Sequence, residues 1–234
     1  MIGSNRRWFD YTNEIAPSVR STSRSIDRDD ERTLDPSALP IETHTNQTRL
    51  RILLAGLKTF GAQGYHGTTI RDIGAEAGMQ SASLYSYFAS KEAILADLVF
   101  IGHDVHNRLL LSALLDAEPG PRAQLHSLMA AHVAAHCRYP DLGIVSNYER
   151  HHLSAEAAAP SAALRQRSVQ LLTEVVLRGK EQGVFDLLDD VTTVGALGAM
   201  GLSALNWYVS YEGPLTPDEV GAHYANLAMR IVGA

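Results

Sequence analysis

The chain has one cysteine, Cys137, in 234 residues, which excludes an intrachain disulfide framework and fits a reducing compartment. It also lacks an apolar run near the roughly 18 residues that a membrane span needs, because charges and glycines interrupt the longest candidates. The first 30 residues hold no apolar stretch of the kind that marks a secretory signal, so the expected location is cytoplasmic, without a membrane partner. No P-loop, nucleophile elbow or dinucleotide fingerprint occurs, so neither an enzymatic site nor a cofactor is expected. Strand-like alternation and internal repeats are absent too. Positive charge is scarce: 20 Lys and Arg face 26 Asp and Glu, for a net charge of −6. A uniformly cationic nucleic-acid binder is therefore excluded. What the chain does have is a 45% apolar composition, enough to bury a core, carried at helical spacing.

The scarce positive charge is concentrated in one place. Residues 1–44 hold six arginines against eight acids. Residues 45–91 hold Arg49, Arg51, Lys58, Arg71 and Lys91 against only Asp72 and Glu76. Residues 92–234 hold nine basic side chains against sixteen acids. A small basic head on an acidic body suits a protein that offers only one end to a polyanion.

The organisation follows the same division. Residues 1–44 mix Ser, Thr, Asp and Arg with Pro17, Pro36 and Pro40, and read as a disordered arm, with Trp8, Phe9 and Tyr11 as an aromatic exception. From residue 47, Leu50, Leu53, Leu54, Leu57 and Phe60 fall on one face of a helix that Gly61 and Gly64 should close. Thr68 or Thr69 can cap a second helix, Gly78 ends it with a tight turn, a third short helix runs through Leu84 and Phe88, and Ser90 caps a fourth. Beyond Pro119-Gly120-Pro121 the spacing predicts helices over about 122–138, 142–152, 160–182, 190–211 and 216–232, broken at Pro140, Pro160, Gly183 and Gly213-Pro214. The expected fold is all-α, with about nine helices: a three-helix head (45–91) and a larger helical body (92–234).

The functional signal lies between residues 68 and 88. A helix, a glycine-containing turn and a second helix place Ile73, Met79, Leu84 and Phe88 where they can lock a crossing angle. The second helix then carries Gln80, Ser81 and Ser83, short polar groups suited to base edges and phosphates in a major groove, with the Tyr85 and Tyr87 hydroxyls beside them. Thr68 and Thr69 can offer hydroxyls and helix N-terminal amides to a phosphate, and Lys91 can reach the flanking backbone. Phe60-Gly61 through Gly64-Tyr65, Gly67-Thr68-Thr69-Ile70, Ile73-Gly74, Ala77-Gly78, Ser83-Leu84-Tyr85-Ser86-Tyr87-Phe88 and Ser90-Lys91-Glu92 closely resemble the N-terminal domain of the TetR family. That resemblance implies a homodimer on double-stranded palindromic DNA, a body that binds a small-molecule inducer, and DNA contacts from Thr69, Gln80, Ser81, Ser83, Tyr85, Tyr87 and Lys91. Two positions depart from the family pattern: Gln80 stands where Ser or Thr is usual, and Ala82 where Gly is usual. Gln80 either yields the cap to Ser81 or reaches an adenine with its amide.

The segments around Asn206-Trp207-Tyr208, Gly213 to Val220 and Tyr224 to Ala228 are similar to a TetR subgroup that regulates lipid and steroid breakdown and senses acyl-CoA thioesters. That similarity implies an acyl-CoA or other apolar inducer. Arg150, Arg165 and Arg167 are the cationic candidates for its phosphates, and Trp207 for a pocket wall. The alternative is a constitutive DNA-binding regulator with a filled body. Small residues at 195, 198 and 201 let a helix approach closely, either within the subunit or across a dimer contact. His132 and His136 have a metal-capable i, i+4 spacing, but no third ligand is evident in the sequence and no metal site is assigned.

Overall fold

The computed structural model describes residues 34–40 and 46–234, and within them the helical period becomes nine α-helices and no strand. The arm up to residue 33, with its aromatic cluster, and residues 41–45 lie outside the described residues. Its last part has structure of its own: Asp35 caps a single 3-10 turn at Pro36–Ala38, after which Leu39 is buried against the helical unit.

Helix α1 (Gln47–Gly67) starts at Asn46, whose side chain accepts from the Arg49 N–H. It buries the expected face, with Leu50, Leu53, Leu54, Leu57 and Phe60 all at most 5% exposed. Each such side chain contributes about 1.5–3 kcal/mol over its exposed state. Gly61 does not end this helix. The break comes at Gly64 (φ 70°), and one further turn carries the chain to Gly67. The rest of the head is α2 (Ile70–Glu76) and the single turn α3 (Ser81–Leu84).

The body starts at α4 (Lys91–Asp116), which Ser90 caps as expected by accepting from the Ala93 N–H. Helix α5 (Pro121–Arg138) is the hub, packed by α4, α7, α8 and α9, and its Leu125, Leu128, Met129 and Val133 are at most 1% exposed. One expected helix over 142–152 is in fact three pieces: α6 (Pro140–Ile144), a π-helical turn at Val145–Glu149 and a 3-10 turn at Arg150–His152. Such π turns are frequent where function deforms a helix.

Pro160 does not separate two helices. Helix α7 (Ala155–Glu181) begins earlier, at Ser154, whose hydroxyl accepts from the Ala157 N–H. Pro160 sits in its second turn on an exposed face, so the missing N–H orphans only the Glu156 carbonyl, on the first turn of the helix. Helix α8 (Asp190–Tyr208) is capped by Asp189, and α9 (Pro217–Ile231) by a reciprocal box between Thr216 and Glu219. No helix among the described residues is long and apolar enough to cross a membrane.

Candidate nucleic-acid interface and buried histidines of the body

Glycine makes the turn of the head possible. Gly78 takes φ +62°, where an L side chain is strained, and the Met79 N–H then returns to the Gly74 carbonyl at 2.8 Å. A Cβ on Gly74 would stand 3.0 Å from the Met79 carbonyl oxygen and 3.4 Å from the Ser81 nitrogen, so a hydrogen there lets the turn close over α2. Ile73, Ala77, Leu84 and Phe88 are buried beneath it, and the Arg49 guanidinium lies 4.1 Å over the Phe88 ring while donating to the Tyr87 carbonyl. Outward from this scaffold stand Gln80, Ser83, Tyr85 and Tyr87, with Ser81 half-buried beside them. Gln80 keeps the N-cap position, so the cap does not move to Ser81, but it is exposed and forms no side-chain cap bond.

Three of the expected DNA contacts are otherwise engaged. Thr68 is 1% exposed, and its hydroxyl donates inward towards the Thr59 and Gly64 carbonyls. Thr69 is exposed, but its hydroxyl and N–H both bond Asp72, whose own N–H returns to the Thr69 oxygen. That reciprocal cap holds the Asp72 carboxyl below its usual range and uses amides expected to be free for phosphate. Lys91 donates to the Tyr65 carbonyl at 2.7 Å and the Thr68 carbonyl at 2.6 Å, with its ammonium 4.0 Å from the Tyr65 ring centroid. Burial lowers its pKa. It closes the C-terminal end of α1. Arg71, exposed in the first turn of α2, is a cation on this surface that the sequence reading passed over.

The same end of α1 is held by the body. The Tyr65 N–H donates to the buried Glu149 carboxylate at 2.8 Å, and the Tyr65 ring stacks on His152 at 5.3 Å. Glu92 accepts from the Ser154 N–H at 2.7 Å. The π turn and the 3-10 turn after it are therefore fastened to the head.

A group of buried polar side chains lies between α4 and the 145–152 segment. His103 is 7% exposed, and its Nε2 has no hydrogen-bond partner. Burial first, then Arg165 and Arg150, push its pKa down to about 3. Burial and the neighbouring Arg150 also lower Arg165, to about 10. So the structure brings Arg150 and Arg165 together beside His103, whereas Arg167 is exposed on α7. Beside them His106 from α4 joins His132 and His136 from α5, the three rings about 5 Å apart. This third ring is what sequence spacing cannot place, since it comes from another helix. Burial is the leading cause of lowered pKa in all three.

Helix α8 packs against these rings. A Cβ on Gly201 would fall 2.6 Å from His132 Nε2, so the small-residue side of α8 packs within the subunit at this point, while a Cβ on Gly198 would meet nothing within 4 Å. Trp207 is 36% exposed, and its indole N–H donates to the Tyr224 hydroxyl at 3.0 Å. With Val191 on α8, and Leu227 and Ile231 on α9, it leaves large apolar side chains exposed on the last two helices. Cys137 is buried, its thiol pushed up to about 11, which removes it as a nucleophile.

This arrangement has relatives among known proteins. Residues 52–98 match the model for bacterial regulatory proteins of the tetR family, and residues 118–232 match a tetracyclin repressor-like C-terminal domain. The HTH-type transcriptional repressor KstR2 of Mycobacterium tuberculosis is 27% identical over 187 residues, 79% of this chain and 92% of the relative. The structure of the TetR family regulator PfmR from Thermus thermophilus is 30% identical, with a TM-score of 0.66 over 77% of this chain and 97% of that one. A tetR-family regulatory protein from Rhodococcus RHA1 superposes with a TM-score of 0.72 at 27% identity, over 80% and 98% of the two chains. With the helix-turn-helix and the helical body both matched in order, the chain belongs to the TetR family of DNA-binding transcriptional regulators.

Proposed function

We propose that this regulator is a repressor that binds a palindromic operator as a homodimer and leaves it when a small molecule enters the body. Residues 45–91 are the reading head and residues 92–234 the ligand and dimerisation body. The observation that carries this reading is the outward row of Gln80, Ser81, Ser83, Tyr85 and Tyr87 on a turn whose every inward residue is locked. In a dimer two such rows reach successive major-groove faces about 34 Å apart. Arg71 and the two tyrosine hydroxyls take phosphates, and Gln80 is placed for a base edge. The exposed apolar side chains of α8 and α9 form the dimer contact.

The inducer enters beside His103, Arg150 and Arg165. Two cations and an unpartnered imidazole nitrogen suit an anionic group. An acyl-CoA thioester carries anionic phosphates, and the similarity to KstR2, a ketosteroid transcriptional regulator, favours a lipid-like ligand. The signal has a short path. Arg150 adjoins Glu149, and Glu149 holds the Tyr65 N–H at the end of α1, so a ligand that draws the 145–152 segment inward pulls on the head.

The test is a salt-titrated selection from random duplexes with the full chain, followed by addition of acyl-CoA thioesters. One enriched palindrome, released by a thioester, is the expected result. An enriched palindrome that no thioester disturbs would remove the ligand class and keep the operator reading. Absence of enrichment at physiological salt, with folded dimer present, would overturn the proposal.

A further inference from the structure

We infer that His106, His132 and His136 form a three-nitrogen site for a divalent transition-metal ion of the zinc class, with a fourth coordination position open. One ligand nitrogen from each ring lies within 4.8 Å of the others. The hydrogen bonds assign which nitrogens these are. His136 Nδ1 is 2.8 Å from the His132 carbonyl, and His132 Nε2 is 3.1 Å from the Gly198 carbonyl. A carbonyl only accepts, so both of these nitrogens carry protons and donate, which leaves His136 Nε2 and His132 Nδ1 as lone pairs. His106 Nδ1 stands 3.4 Å from the Ser168 hydroxyl, and its Nε2 is 2.9 Å from His132 Nδ1. Each ring is thus anchored by an outer nitrogen on a carbonyl or hydroxyl and turns the other towards its neighbours. Histidines that hold metals are oriented in this way.

The chemistry of the donor set agrees. Burial disfavours the protonated rings, so all three are in the neutral form that binds metal. Imidazole alone, with no carboxylate in the cluster, suits zinc, copper or nickel rather than calcium or magnesium. At metal–nitrogen distances of about 2.0–2.1 Å, tetrahedral ligand nitrogens stand roughly 3.3 Å apart. The His106–His132 pair needs to open only slightly from 2.9 Å. His106 then carries its proton on Nδ1, facing Ser168. Gly201 gives His132 and His136 the room to sit side by side. The inference does not depend on operator binding.

The experiment uses the full chain, stripped with a chelator and titrated with cobalt(II) alone, then with zinc. One ion per chain, visible ligand-field bands and displacement by zinc are expected. His106→Gln and His136→Gln should each weaken binding at least ~10-fold, with the metal-free melting temperature unchanged. A His66→Ala, His151→Ala, His152→Ala triple variant, altering the separate histidine group near Tyr65, should leave binding intact. No uptake at about 100 μM metal, uptake that both glutamine variants retain, or loss in the triple variant alone would overturn the site. Should a glutamine variant unfold, zinc-soaked crystals of the unaltered chain decide. An anomalous peak among the three rings upholds the site, and a peak elsewhere or none overturns it.

Discussion

Replacing Lys91 with methionine separates two roles that the same lysine could have. The substitution keeps the aliphatic stem and removes an ammonium that donates at 2.7 and 2.6 Å to the last carbonyls of α1 and stands over the Tyr65 ring. A charge-assisted hydrogen bond contributes about 1.5–3 kcal/mol net, and the cation–π contact about 0.5–1. Both bonds share one ammonium and the side chain is half-buried, so the pair counts as a single interaction near the low end, which with the cation–π contact comes to roughly 2–3 kcal/mol. For a chain of this size each kcal/mol moves Tm by about 2–4 °C, which gives a loss of about 4–12 °C. Thermal unfolding at fixed protein concentration measures it. The salt dependence of operator binding, measured alongside, should keep its slope, because no phosphate contact is lost. A Tm within about 1 °C of the parent and a log–log salt slope lower by ~0.9 would refute this reasoning and return Lys91 to the DNA backbone.

Gln80→Ala should relax the preference at one operator base pair by about 1–3 kcal/mol and leave Tm in place; a uniform loss across all sequences would show that Gln80 reads no base. Glu149→Gln should keep operator affinity within a few-fold while weakening release by the inducer, since a neutral amide oxygen accepts more weakly from the Tyr65 N–H than the carboxylate does; unchanged release would break the proposed path. Stability should also fall in acid. His103, His106, His132 and His136 all have folded pKa values below the ordinary 6.5, so between that value and the folded pKa the unfolded chain binds more protons. Their contribution is complete above about pH 6.5 and declines below it, by up to ~1.4 kcal/mol per pH unit for each ring. His103→Gln should reduce that slope by about one proton between pH 6 and 4, and a flat profile over this range would contradict the buried neutral rings.

The head was legible because its rules are local. The α1 face and the caps at Thr69 and Ser90 each need only a few neighbouring residues, and Gly78 had to be glycine for reasons of backbone geometry alone. What the sequence could not reveal depends on distant partners. Lys91 turns inward because the carbonyls it meets lie 26 and 23 residues earlier. Thr68 is buried because α1 bends at Gly64 and brings its hydroxyl under two carbonyls. His106 completes a trio only when α4 packs on α5, and no spacing rule links residue 106 to residues 132 and 136. Pro160 misled as a breaker because Ser154 starts α7 before it.

Helix α8 is a partition one helix thick. Gly201 meets the His132 and His136 rings and the Gly198 carbonyl accepts from His132, while Ala196, Ala199 and Ser203 are exposed. A side chain at 201 larger than hydrogen would enter the rings, so the fit between rings and helix is set by the register of α8 and not by a movable side chain. A change in the rings therefore bears on the backbone of α8 itself, with no side chain at 201 to absorb it. If a second copy of the chain rests on the exposed side, rings and partner bear on opposite sides of the same helix.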